Sequence, residues 1–207
     1  MSGPAKSRAV VLAVISLGTL SSTLDGGMIS VALPAIATSF ETDTSTVLWT
    51  TVAYWVVAVG LLLTLGWLGD VAGRRVVFAS GLAVFAVGLL LTSLSTSIWQ
   101  LIAFRVVQGV GAAMVLSNLN ALITANFPAE DRGKAMGISG AVVGFGLTAG
   151  PLLGGVLLDH LGWRAVFYSR IPVSALGAIL VWRLLPADRV AGGTFRVDFF
   201  GAAALFG

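Results

Sequence analysis

The stretch GWLGDVAGRR, residues 66–75, closes one long apolar run and precedes the next, and nearly the same pattern returns as GVLLDHLGWR at residues 155–164. Both fit G-x-L-x-D-x-x-G-x-R, 89 positions apart. If the apolar runs are membrane spans, three of them separate the two copies, which therefore fall on opposite faces of a bilayer. A pattern shared by opposite faces is what an inverted repeat of three helices plus three produces. Convergent turn chemistry is the alternative, since glycine closes many helices.

The runs themselves support spans. Of 207 residues, 57% are hydrophobic and 10% are charged, against about 25% charged in an ordinary soluble domain. A bilayer core about 30 Å thick takes about 20 apolar residues per helix. Six stretches qualify: Val10 to Ile36, Val47 to Leu68, Val76 to Leu94, Ile98 to Leu122, Met136 to Leu158 and Ala165 to Leu185. The first is too long for a cleaved secretory signal. The predicted fold is an all-α membrane protein: six transmembrane helices over residues 1–186 as a three-plus-three inverted repeat. A polar cytoplasmic linker at 187–198 follows, then the start of a truncated seventh span at 199–207.

Composition also excludes. The net charge of +3 comes from basic residues scattered singly and in pairs, with no run that tracks a nucleic-acid backbone. With no cysteine and a lone His160, no metal site, cofactor or thiol chemistry is expected. An enzyme is a distant reading, because no nucleophile-and-base set appears.

Placing the N-terminus in the cytoplasm puts nine cations inside: Lys6, Arg8, Arg74, Arg75, Arg132, Lys134, Arg183, Arg189 and Arg196. Arg164 alone then falls in an outer loop, as the positive-inside rule favours. Trp49, Trp99 and Trp163 are expected as interface anchors at outer helix ends, Trp67 and Trp182 near inner ends.

Asp25 and Arg105 stand inside spans, where an ionisable side chain costs at least about 2.5 to 3.5 kcal/mol and marks a functional candidate. Counting along the helices puts Asp25 about 8 Å and Arg105 about 10 Å below the same outer surface. Being level, they either pair directly or face one aqueous cavity. Gln108 shares the Arg105 face. The alternative is a static ion pair that orients two helices. Arg170, five residues into the sixth span, is read as snorkelling to the outer headgroups, with a substrate or gating role at the outer mouth as the alternative.

In the fifth span, Gly146, Gly150 and Gly154 recur every four residues and form a flat stripe for close helix packing. Pro151 beside them removes a backbone donor and bends the helix. In the first repeat copy, Gly69 and Gly73 permit a tight turn and Asp70 lies among Arg74 and Arg75. That cluster suits an inner gate made of breakable ion pairs, with Glu130, Asp131, Arg132 and Lys134 as candidate partners; a solvated loop of little energetic weight is the alternative.

Together these residues resemble the major facilitator superfamily, and within it the N-terminal half of the fourteen-span drug:proton antiporters. GWLGDVAGRR, with Gly66, Gly69, Asp70, Gly73, Arg74 and Arg75, resembles the family's cytoplasmic loop motif, and RVVQGVGAA its fourth-span motif. The spacing Gly137, Gly146, Gly150, Pro151, Gly154, Gly155 is similar to the antiporter motif, and LDGGMISVALP to a first-span motif in which Asp25 is the proton-linked acid. This chain departs from the family by carrying Gly27 and Ser30 where Thr and Asn are usual, Val71 where a basic residue is usual, and Arg170 where Asn is usual.

The resemblance implies an exporter in the bacterial inner membrane that exchanges protons for hydrophobic or cationic small molecules by alternating access, with no enzyme activity. It also implies a missing C-terminal half, in the same or another chain. A half-length membrane module, inactive until paired, is the second expectation.

Overall fold

The computed structural model describes residues 4–185, with side chains from residue 8 onward. The expected linker, the seventh-span start and Arg189 and Arg196 lie outside the described residues. The described residues form eight helices and no strand: α1 Pro4–Ser39, α2 Thr44–Gly60, α3 Leu62–Ala72, α4 Arg74–Ser93, α5 Ile98–Asn126, α6 Ala129–Leu161, α7 Trp163–Tyr168 and α8 Ile171–Leu184. Five spans are long and apolar enough to cross a membrane, α7 and α8 together making one of them; α2 and α3, bent 47° at their break, make a sixth.

Local chemistry sets these boundaries. Asp43 caps α2 by accepting the Thr46 N–H at 2.7 Å, and Ser97 caps α5 through the Gln100 N–H at 3.3 Å. Gln100 reaches back to the Thr96 N–H at 3.0 Å, so two orphan donors are satisfied reciprocally. Gly60 stands at the α2–α3 bend with open space where a Cβ would be. The sixth span, expected to be continuous, is jointed at Ser169 and Arg170. Pro172, in the first turn of α8, has no N–H to continue the ladder from α7. Pro34 and Pro151 lie inside α1 and α6, which run on through them.

The repeat is visible in the backbone. Gly73 (φ 99°) and Gly162 (φ 78°) are the glycines with positive φ among the described residues. Each donates its N–H back to the carbonyl four residues earlier, at 3.0 Å in both copies, and the next helix starts one residue later.

Two apolar clusters fill the bundle. One, toward the Trp163 end, gathers Met28, Ile36, Tyr54, Phe85, Leu89 and Phe167; the other, toward the Gly73 end, gathers Ile15, Phe78, Leu82, Leu122, Ile123 and Val181. Large side chains face outward along the helices, Leu63 at 87% and Leu152 at 72% exposure, which only an apolar surround makes favourable. Trp49, Trp99 and Trp182 lie more than half exposed. Trp163 is a correction to the anchor reading: it is buried, its ring centroid 5.4 Å from that of Phe40 and 6.1 Å from that of Phe167.

Candidate functional site

Between the apolar clusters lies a buried polar layer of Thr19, Ser21, Asp25, Arg105, Gln108, Arg170 and Ser174. Asp25 comes from α1, Arg105 and Gln108 from α5, and Arg170 from the joint between α7 and α8. Arg105 Nη1 stands 2.7 Å from Asp25 Oδ2 as an ion pair. Arg170 Nη1 donates to Asp25 Oδ1 at 2.6 Å, and Gln108 Nε2 donates to the same oxygen at 2.8 Å. Asp25 and Arg105 therefore pair directly, the first of the two arrangements that their equal depth allows.

The two arginines are held differently. Arg105 is fixed from three sides: Nε donates to the Thr50 carbonyl of α2 at 3.0 Å, Nη1 donates to Gln108 Oε1 at 2.8 Å, and the guanidinium lies 4.2 Å from the centre of the Tyr54 ring. A guanidinium over an aromatic face is attracted by the ring quadrupole. Arg170 has fewer ties. Its Nε donates to the Val166 carbonyl of α7 at 3.0 Å, its guanidinium lies 6.0 Å from the centre of the Phe167 ring on the same helix, and it reaches α1 through Asp25. The reading of Arg170 as snorkelling to the outer headgroups is corrected: it is 3% exposed and turned into the bundle. The joint at Ser169 and Arg170 and the attraction of a buried carboxylate draw it inward.

One carboxylate against two guanidiniums leaves this layer with a formal charge of +1. In a low-dielectric interior such pairs are strong, and breaking one by removing a partner is costly. A proton on Asp25 takes the layer from +1 to +2. Chemically, the cluster is a charge arrangement whose net charge one proton doubles.

The other sequence-picked residues fall into two groups. The stripe Gly146, Gly150 and Gly154 packs on α1: a Cβ on Gly150 would come within 2.9 Å of the Gly27 Cα, and one on Gly154 within 2.9 Å of the Met28 Cα. A Cβ on Gly27 would meet Pro151 at 2.6 Å, so this chain's glycine in place of the family's usual Thr lets Pro151 seat against α1. Gly137 and Gly155 have open space where a Cβ would be and take no part in that contact.

At the other end, Arg74 donates to Asp70 through Nε at 3.0 Å and Nη2 at 2.9 Å, and to the Ala121 carbonyl of α5 at 3.3 Å. Gly66 and Gly69 of α3 lie against Ser117 and Asn118 of α5. Arg75 stacks on the Trp182 ring at 5.3 Å and donates to the Trp182 carbonyl. Two of the expected partners from the α6 start are engaged elsewhere: Asp131 pairs with Arg8 at 3.4 Å, and Arg132 donates to the Phe127 carbonyl at 3.0 Å.

Sequence reading missed Thr50 and Tyr54, which hold Arg105, and the seam beside Asp25. Ser21 and Ser174 share a hydrogen bond at 2.6 Å. Ser21 lies one turn before Asp25 and Ser174 one turn after Arg170, and that mirrored spacing was a usable signal.

The sequence profile of the Major Facilitator Superfamily matches residues 15–199. The riboflavin transporter RibZ of Clostridioides difficile is 37% identical over 87% of this chain and 40% of its own length. The puromycin resistance protein pur8 of Streptomyces alboniger is 39% identical over 96% of this chain and 40% of its own length. The methylenomycin A resistance protein of Bacillus subtilis is 34% identical over 92% of this chain and 41% of its own length. The chain thus spans about two fifths of the length of these curated relatives.

Among solved structures, a bacterial homologue of the human lysosomal transporter Spinster, inward-facing and unoccupied, aligns with all of this chain and half of its own (TM-score 0.73, 20% identity). The proton:xylose symporter XylE aligns with 89% of this chain and 46% of its own (TM-score 0.75, 16% identity). Profile, relatives and fold agree with the jointed six-span bundle: the chain is an integral membrane protein that belongs to the major facilitator superfamily, a family of membrane transporters.

Proposed function

We propose that this chain forms the N-terminal half of a proton-coupled antiporter that expels hydrophobic small molecules, cations among them, across a bacterial plasma membrane by alternating access. The observation that carries the reading is Asp25, buried between the guanidiniums of Arg105 and Arg170 in the middle of a membrane bundle. An intramembrane acid of this kind marks a proton relay by default. Asp25 is the proton-linked acid, Arg105 and Gln108 bias its charge state, and protonation weakens both ion pairs. The weakened pairs let the bundle repack, in the manner of a two-state element biased by one charge. The efflux direction is supported by relatives named for puromycin and methylenomycin A resistance.

Orientation follows from charge. Arg8, Arg74, Arg75, Arg132, Lys134 and Arg183 gather at the Gly73 end of the bundle, and Arg164 lies at the other; the positive-inside rule assigns the first end to the cytoplasm. There the Asp70–Arg74 pair acts as an inner gate, tying the α3–α4 turn to α5. Gly137, Gly146, Gly150, Pro151, Gly154 and Gly155 form the antiporter motif, and the close contact of Gly146, Gly150, Pro151 and Gly154 with α1 is the surface on which the spans slide.

The decisive experiment uses the full-length protein in everted membrane vesicles, with ethidium as the fluorescent probe and an imposed proton gradient. Asp25→Asn removes gradient-driven efflux while the protein remains in the membrane. Efflux at the parental rate in that variant rejects the reading. A second reading, a half-length module without activity until paired, is favoured by the two-fifths coverage of the relatives; it requires that the 207-residue chain alone give no efflux and recover it when the remaining length is co-expressed.

A further inference from the structure

The α1 and α8 helices meet along a narrow seam with three steps. Asp25 faces Arg170 at 2.6 Å, Ser21 faces Ser174 at 2.6 Å, and a Cβ on Gly177 would lie 3.6 Å from the Gly18 Cα. Positions 25, 21 and 18 descend α1 as 170, 174 and 177 advance through the joint and along α8, one turn at a time. Two of the three steps are small and uncharged, and they tolerate sliding. Only the first depends on charge.

That step sits at the weakest point of the sixth span. Arg170 occupies the joint where Pro172 interrupts the helix; it is held by its own α7, through the Val166 carbonyl and the Phe167 ring at 6.0 Å, and by Asp25. Arg105 is tied at once to α2, to Gln108 and to the Tyr54 ring. The ionisable groups that face Asp25 are Arg105 from α5, Arg170 from the joint and the Tyr54 phenol from α2. On its α6 side, α1 meets glycines. When Asp25 loses its charge, the two guanidiniums repel in a low dielectric with no carboxylate between them. The less anchored one moves.

We propose that Arg170 is a positioning residue of the proton switch: it latches the α7–α8 joint to α1 while Asp25 is charged, and protonation of Asp25 releases Arg170 ahead of Arg105. This rests on the reading of Asp25 as the proton-linked acid. It assigns the motion to the sixth span and explains why this chain carries an arginine there. The gate at Asp70 and Arg74 then responds to a helix that has already moved.

The 207 residues contain no cysteine, so spin labels can be placed at Thr38→Cys on α1 and Leu176→Cys on α8, both exposed positions, in the full-length protein with any cysteine elsewhere replaced by serine. Pulsed electron resonance in lipid nanodiscs then reads the α1–α8 distance distribution from mildly alkaline to mildly acidic pH. In the parent, acidification moves population to a longer distance. Arg170→Asn shows the longer distance at both ends of the range and loses the pH response; Arg170→Lys, which keeps the charge, restores it at least in part. An Arg170→Asn variant with the parent's response overturns the proposal, as does a parent with no response. Neither result touches the assignment of Asp25, which stands or falls on efflux by Asp25→Asn.

Discussion

Gly73 and Gly162 hold the same place in the two copies of the repeat: each has positive φ, each ends one helix by bonding back four residues, and each opens the next. Two residues on, the copies agree again. Arg75 donates to the Trp182 carbonyl of α8, and Arg164 donates to the Ser95 carbonyl after α4 at 3.1 Å. In both copies the arginine that ends the motif ties the new turn to the end of another span or the loop that follows it; its guanidinium stacks on Trp182 of α8 in the first copy and on the adjacent Trp163 in the second. Convergent turn chemistry would reproduce the glycine but not the matching ties.

Replacing either glycine by alanine forces a Cβ into a backbone region that glycine nearly monopolises, at a cost of about 1 to 3 kcal/mol per site. Thermal unfolding of the full-length protein in detergent is expected to fall for Gly73→Ala and for Gly162→Ala. Gly133→Ala, in a helical region with open space around it, is the control that should not fall.

The antiporter-motif glycines separate by position. Gly150→Ala puts a methyl against the Gly27 backbone, where two main chains leave nothing that can give way, so α1 and α6 must part. Gly155→Ala and Gly137→Ala meet nothing within 4 Å, and alanine is favoured over glycine in a helix by about 0.8 to 1 kcal/mol. Cross-linking between cysteines on α1 and α6 should drop for Gly150→Ala and hold for the other two. Equal behaviour of all three would show that the motif's spacing, not its contact face, governs packing.

What the sequence revealed and what it hid divide along a physical line. Spans, loop charges and the repeat are one-dimensional properties of the chain, and runs such as Val76 to Leu94 announce themselves. Equal depth along two helices brought Asp25 and Arg105 together, because rise per residue is fixed. Depth says nothing about azimuth. Arg170 lies at a similar depth, and only the joint beside Pro172 turns it inward, which counting residues along one continuous helix does not show. Trp163 sits at a helix end as an anchor would, and its burial against Phe40 and Phe167 is a matter of azimuth too. Tyr54 and Thr50 were invisible, since an aromatic ring and a backbone carbonyl carry no label that marks them as partners of a guanidinium on another helix.

Asp43 offers a pH test away from the membrane-spanning residues. The Thr46 hydroxyl and backbone N–H beside it hold its carboxyl below the ordinary value of 3.8. A depressed folded-state value means that the cap's contribution is fully present above 3.8 and is lost as pH falls through the lower folded value. Protection of the Thr46 amide, its exchange relative to the unstructured rate at the same pH, should therefore hold from neutral pH down to that point and be lost below it. Asp43→Ala should lack that protection at every pH. A protected Thr46 amide in that variant would show that the α2 start is held by something other than its cap.

Arg105→Lys tests whether the charge or the fork of the guanidinium matters. Arginine presents five donors in a rigid plane, and Arg105 uses that plane to reach Thr50, Gln108 and Asp25 while stacking on Tyr54. A lysine keeps the charge beside Asp25 but cannot span α2 and α5 from one head group. The Thr50 carbonyl and Gln108 Oε1 then lose a buried donor, at about 1 to 3 kcal/mol for each unsatisfied group. The expected result is a protein that still inserts, melts lower, and drives gradient-dependent efflux more slowly than the parent. Tyr54→Leu removes the ring and leaves every hydrogen bond of Arg105 in place, so its efflux should lie between the two. If Arg105→Lys matches the parent in both melting and rate, positive charge alone suffices at this position, and the anchoring that distinguishes Arg105 from Arg170 has no consequence for transport.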